Sequence, residues 1–198
     1  GKPNMHFEAP TIPPFDHNSA NAARTRQNSL IKPAGSLGRL EEISIQIAGI
    51  QGKANPSVEK KSVIVMAADH GVCAEGVSAF PSDVTHQMVG GFLMGKAAIN
   101  AVAGYAGINV RVVDIGVDYD FSDSENLDLR KIAHGTANMV EGPAMTQEEV
   151  LNAIAIGMEI AEEEAAKGVE LIAIGEMGIG NTTASSAIIS TITGVPAS

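Results

Sequence analysis

Tryptophan is absent, and the aromatic side chains amount to five Phe and two Tyr among 198 residues. The interior must therefore be built from Ala, Ile, Val and Met, as where helices pack closely on a sheet. Basic residues are also in deficit: 13 Lys and Arg stand against 23 Asp and Glu, a formal net charge of −10. That balance argues against non-specific binding to nucleic acid or anionic membranes, which both reward clustered positive charge. Phosphate ligands stay open, because backbone amides can hold them. Cys73 is the only cysteine, so no internal disulfide forms and a reducing compartment is expected. No stretch approaches the roughly 18 apolar residues of a membrane span. The start, Gly1-Lys2-Pro3-Asn4-Met5, lacks a signal-peptide pattern and an initiator Met, and reads as processed or tagged. A cytoplasmic location is expected. What is present describes a globular chain: 44% hydrophobic residues, 21 glycines and 18% charged residues. Its length suits one α/β domain or part of a larger one.

Pro3, Pro10, Pro13 and Pro14 make residues 1–16 an extended arm, followed by a short helix from Asn18 to Leu30 capped by Asn18 or Ser19. Lys32 to Arg39 reads as a turn into a helix where Leu37, Leu40, Ile43, Ile47 and Ile50 recur at helical spacing. Ser62 to Ala67 is an apolar run typical of a strand covered on both faces, and it opens into Asp69-His70-Gly71. One helix is expected from Ser82 to about Tyr105, interrupted in propensity by Gly90, Gly91 and Gly95. Val110 to Gly116 is a second strand, and the acidic stretch Asp118 to Asp128 an exposed loop. Thr146-Gln147-Glu148-Glu149 is a capping box that starts a helix running to Lys167, with Glu159, Glu162, Glu163 and Glu164 on an acidic outer face. Val169 to Ile174 is a third strand, and Thr182 to about Thr193 a helix stopped by Gly194 and Pro196. The alternation predicts an α/β fold: a mostly parallel, Rossmann-like sheet flanked by helices, with an N-terminal helical segment. Residues 1–55 form the arm and helical segment, and 56–198 the first part of an α/β nucleotide-binding domain. The pattern leads one to expect a further strand after Ser198, so the chain reads as truncated.

Ligands of open α/β sheets sit outside the carboxyl ends of the strands. The richest such end is Gly175-Glu176-Met177-Gly178-Ile179-Gly180-Asn181-Thr182-Thr183, read as a turn for phosphate or ribose phosphate. Its glycines permit tight backbone, and the helix that follows presents amides to an anion. It is neither a Gly-Lys-Ser/Thr phosphate loop nor a full dinucleotide fingerprint. The plain alternative is a turn that merely packs helix on strand. Glu176 is a candidate general base or a partner for an N–H-bearing ligand, and equally a capping or salt-bridged carboxylate. Asp69 and His70 read as a hydrogen-bonded pair shaping a strand end rather than a metal site, and Cys73 as a small hydrophobe rather than a nucleophile. Ser82 is a helix N-cap; with Gln87 it also offers neutral donors and acceptors suited to an uncharged heterocycle.

Several strings, in order, resemble the nicotinate-nucleotide–dimethylbenzimidazole phosphoribosyltransferase family. They are Lys32-Pro33-Ala34-Gly35-Ser36-Leu37-Gly38-Arg39-Leu40-Glu41, Ala68-Asp69-His70-Gly71-Val72, Glu75-Gly76-Val77, Pro81-Ser82 with Val84-Thr85, Gly142-Pro143-Ala144-Met145, and Gly175 to Thr183. The resemblance implies a homodimeric, cytoplasmic enzyme of cobalamin biosynthesis without metal or organic cofactor. It implies transfer of the phosphoribosyl group of nicotinate mononucleotide to 5,6-dimethylbenzimidazole or a related lower-ligand base, giving α-ribazole phosphate and nicotinate. Carried over by motif, Ser82, Gln87 and Met177 line the base pocket, and Glu176 is the acidic group beside the reaction centre. Gly178, Gly180, Asn181 and Thr182 contact the ribose phosphate. Family members are much longer, and their principal catalytic glutamate falls beyond Ser198, so these residues alone are expected to turn over little. Two other readings stay open: a non-catalytic nucleotide- or phosphate-binding α/β module, and, more weakly, a dinucleotide-binding oxidoreductase.

Overall fold

The computed structural model describes residues 9–121 and 125–197. Its compact units divide between Glu59 and Lys60. In the first, α1 (His17–Ser29) and α2 (Arg39–Gln51) bury Ala20, Ala23, Ala48 and Gly49. Asp16 rather than Asn18 or Ser19 is the N-cap of α1: its Oδ1 accepts the Asn18 and Ser19 amides at 2.9 and 3.2 Å. Gly49 is required because a Cβ there would lie about 2 Å from the Phe15 ring. The apolar stripe of α2 is open, with Leu40 65% and Ile50 68% exposed. The arm's residues 1–8 lie outside the described residues.

From Lys60 on, four strands form a parallel sheet in the order β3-β2-β1-β4: β1 (Lys61–Ala68), β2 (Asn109–Gly116), β3 (Leu127–Leu129) and β4 (Leu171–Met177). β1 is central. Successive side chains of a strand point to opposite faces. Val63, Val65 and Ala67 accordingly pack with Val89 and Phe92 of α3 (Val84–Leu93) and Ala103 of α4 (Ala98–Tyr105). Ile64 on the other face packs with Val113 and with Ile160 of α5 (Gln147–Ala166). Helices on both faces explain why β1 is apolar throughout. β4 is an edge strand with Ile174 88% exposed, and α6 (Asn181–Thr193) has no buried residue.

From Lys60 on, three expectations about the elements change. The helix expected over 82–105 is two helices. Gly95, at φ 70°, ends the first, and Asn100 Oδ1 accepts the Ala97 amide at 3.1 Å to start the second. The stretch 118–128, of which 122–124 lie outside the described residues, contributes the short β3, paired with β2. Glu164 is buried rather than on an outer face. It accepts from Arg111 Nη1 at 2.9 Å and Lys167 Nζ at 2.8 Å, while Arg111 also binds Asp128 of β3 and Glu163.

Candidate functional site

β1 and β4 run side by side with Met66 opposite Glu176 and Ala67 opposite Met177, so both chains leave the sheet at one end. β4 therefore extends further than the expected 169–174, and Gly175, Glu176 and Met177 are strand; the turn proper begins at Gly178. Beyond β1, His70 keeps extended backbone and leads into a 3-10 turn, Gly71–Glu75. This places the His70 Nε2 3.1 Å from Glu176 Oε1. The Asn181 side-chain amide, from the first residue of α6, donates to Oε2. Both oxygens of one carboxylate are thus engaged by groups from two different elements. The Glu176 side chain is 42% exposed, more open than a partly buried base.

The turn between β4 and α6 has little freedom. A Cβ on Gly178 would lie 2.2 Å from the Ala68 carbonyl oxygen and 2.8 Å from both Glu176 Oε1 and His70 Cδ2. Gly180 adopts the left-handed conformation at φ 85°, and a Cβ there would meet the Cys73 sulfur at 2.7 Å. Between them the Ile179 peptide is held at both ends. Its N–H donates to Thr85 Oγ1 at 3.1 Å, and its carbonyl accepts from the Cys73 thiol at 2.9 Å. Burial, then the nearby Asp69 charge, raises the Cys73 pKa, so the sulfur stays a protonated donor rather than a nucleophile. No side chain caps α6 at Gly180. An uncapped helix start beside glycines is where an anion is favoured.

Asp69 is tied to other loops instead of to His70. Its Oδ2 accepts the Asp118 amide at 2.8 Å, and its carbonyl accepts the Thr136 amide at 3.0 Å. A cavity of about 380 Å³ opens beside these strand ends, lined by Asp69, His70, Ser82, His134 and Thr136 among others. A larger one, about 890 Å³, lies at the opposite end of the sheet, where Lys61 and Asn109 begin their strands. It is remote from the glycine turn.

The expected site residues fall into two groups. Glu176, Gly178, Gly180, Asn181 and Thr182 come together at the end of β4, with Thr182 Oγ1 3.4 Å from Asn181 Oδ1. Met177, the last residue of β4, turns toward the core cluster of Val89 and Phe92. Ser82 precedes α3 and lines the smaller cavity, but it is not the N-cap: that position falls to Asp83, with no side-chain cap bond. Gln87 is exposed on α3. Sequence reasoning missed Thr85, His70 and Cys73 as supports of the turn. The one signal for them was that all three lie in or just after strings at a strand end or helix start.

A family model described as phosphoribosyltransferase matches residues 12–198. The nicotinate-nucleotide–dimethylbenzimidazole phosphoribosyltransferase of Chloroflexus aggregans is 55% identical over 93% of this chain and 52% of its own length. The protein of the same name from Geobacter sulfurreducens is 50% identical over 93% of this chain and 53% of its own. The crystal structure of the Thermus thermophilus enzyme of that name superposes with a TM-score of 0.88 at 47% identity, covering 92% of this chain and 55% of that one. The chain spans about half the length of the curated relatives it matches. With the family model matched over residues 12–198 and the fold superposing on a solved relative at 47% identity, the chain belongs to the nicotinate-nucleotide–dimethylbenzimidazole phosphoribosyltransferase family.

Proposed function

We propose that the protein transfers the phosphoribosyl group of nicotinate mononucleotide to 5,6-dimethylbenzimidazole or a related lower-ligand base in cobalamin biosynthesis. The products are α-ribazole phosphate and nicotinate. The observation that carries this reading is the Glu176 carboxylate, gripped at both oxygens beside a turn with no room for side chains at Gly178 and Gly180. A ring nitrogen of the base attacks the anomeric carbon. The bond to nicotinate breaks with its electron pair on the departing nitrogen, configuration inverts, and the base's N–H proton passes to a carboxylate. Gly178, Gly180, Asn181 and Thr182 hold the ribose phosphate, and a rigid hold fixes the anomeric carbon for in-line attack. Glu176 is the acidic group beside the base, with Ser82, Gln87 and Met177 lining its pocket.

Residues 1–55 act as an arm and helical segment, and 56–198 as the first part of the nucleotide-binding domain, in a cytoplasmic homodimer. The work proposed for this chain's own residues is to hold the ribose phosphate and one face of the base. Calorimetric titration with nicotinate mononucleotide and with dimethylbenzimidazole, with nicotinate release followed in parallel, tests it. Saturable binding of both ligands is expected, with little release from these residues alone. Tighter binding of a nicotinamide dinucleotide, or no binding of the mononucleotide, would overturn the reading.

A further inference from the structure

His70 touches no ligand in the functional reading, yet its place beside Glu176 is fixed by the turn behind it. The 3-10 turn that follows it is fastened on two sides. Gly71 donates its N–H to Thr136 Oγ1 at 3.2 Å, and the Cys73 thiol reaches the Ile179 carbonyl. Gly71 itself is wedged: a Cβ there would come within 2.6 Å of backbone atoms of Thr136, Ala137 and Asn138. The His70 side chain is only 15% exposed, against 42% for Glu176. A glutamate 42% exposed has several rotatable bonds, and ordering them has an entropic cost. Hydrogen bonds from His70 to one oxygen and from Asn181 to the other select one arrangement.

We propose that His70 is a positioning residue: with Asn181 it fixes the Glu176 carboxylate so that its remaining lone pairs meet the N–H-bearing heterocycle. This rests on the functional reading above. The ring donates from Nε2 both as the neutral Nε2–H tautomer and as imidazolium, so the grip needs no change of protonation. The phosphate of the nucleotide is held by the turn and the start of α6, not by Glu176. Loss of the His70 bond therefore weakens the base and spares the nucleotide.

The test compares the chain with its His70→Phe, His70→Gln, Glu176→Gln and His70→Phe/Glu176→Gln variants, titrated separately with dimethylbenzimidazole and nicotinate mononucleotide. His70→Phe is expected to weaken dimethylbenzimidazole about tenfold and the mononucleotide less than about twofold. His70→Gln keeps an N–H donor and should recover to within about threefold, and the double variant should be no weaker than Glu176→Gln alone. In the spectrum of histidine-¹⁵N-labelled chain, a hydrogen-bonded Nε2–H proton, assigned by its absence from His70→Phe, should vanish in Glu176→Ala. Equal losses for both ligands, a Gln variant as weak as Phe, or unchanged dimethylbenzimidazole binding would overturn the positioning role. If the unaltered chain binds no dimethylbenzimidazole, the functional reading fails instead and takes this role with it.

Discussion

A methyl group at Gly178 would sit 2.2 Å from the Ala68 carbonyl oxygen, so one of two neighbouring backbones has to move. Gly178→Ala is expected to cost about 1–3 kcal/mol, read by urea unfolding. Nicotinate mononucleotide affinity should fall with it, because the same displacement distorts the turn proposed to hold the ribose phosphate. Gly180 carries two separable requirements, a left-handed φ of 85° and the space claimed by the Cys73 sulfur. Adding Cys73→Ala to Gly180→Ala should recover the steric part only, measured against Cys73→Ala alone. A remainder of roughly 1 kcal/mol should persist for the backbone. Complete recovery would mean that the left-handed turn imposes no conformational demand. The glycines are legible in the sequence because they cluster after an apolar strand. Their supports are not. Thr85 lies 94 residues from Ile179, and Cys73 lies 106 from it. No local pattern connects such pairs.

α5 gives the corresponding lesson for elements. Its start at Thr146 is legible, since a capping box is local chemistry: Thr146 Oγ1 accepts the Glu149 amide at 3.2 Å, and Glu149 Oε2 accepts the Thr146 amide at 2.6 Å. Its inner face is not legible at one position. Ile160 and Glu164 are four apart, hence on one side of the helix, and both are buried. A charge is tolerated there because Arg111 of β2 meets it, which only the tertiary pairing discloses. β3 escapes notice for a simpler reason, as Leu127–Leu129 is too short for a period to appear. Hydrogen bonds from Arg111 and then Arg130 hold the Glu163 pKa below its ordinary 4.5. For Glu164, burial acts upward, but bonds from Lys167 and Arg111 outweigh it and the net shift is also downward. With both folded-state values depressed, their contribution to stability is complete above pH 4.5 and is lost as pH falls through the folded values. Arg111→Met should cost about 3 kcal/mol at neutral pH, Lys167 limiting the loss. The drop in urea midpoint between about pH 6 and about pH 3 should then be smaller than in the unaltered chain. An acid profile unchanged by the substitution would place the pH sensitivity elsewhere.

For the molecule from Lys60 on, the parallel architecture is legible from strands alternating with helices, whereas the order β3-β2-β1-β4 is not. Local residues do not say on which side of β1 a later strand will dock. The open flank at β4 and α6 exposes Ile174, Ile188, Ile189 and Ile192. Apolar surface beside a bare strand edge favours association. Sedimentation should show mass rising with concentration, and Ile192→Lys, at a site 79% exposed, should reduce it without lowering the melting temperature. A melting temperature that falls instead would show that Ile192 is packed in solution. The His70–Glu176 pair spans 106 positions of chain. At ribosomal speeds of about 5–20 residues per second, β4 follows β1 into solution by roughly 5–20 seconds. Within that interval β2 can dock on β1 and β3 on β2, while the edge of β1 that β4 will cover waits unfilled. Closing so long a loop is slow compared with local pairing. The chemistry-bearing corner is thus the last of these pieces to assemble, and a nucleotide that binds there would register only chains in which β4 has paired with β1.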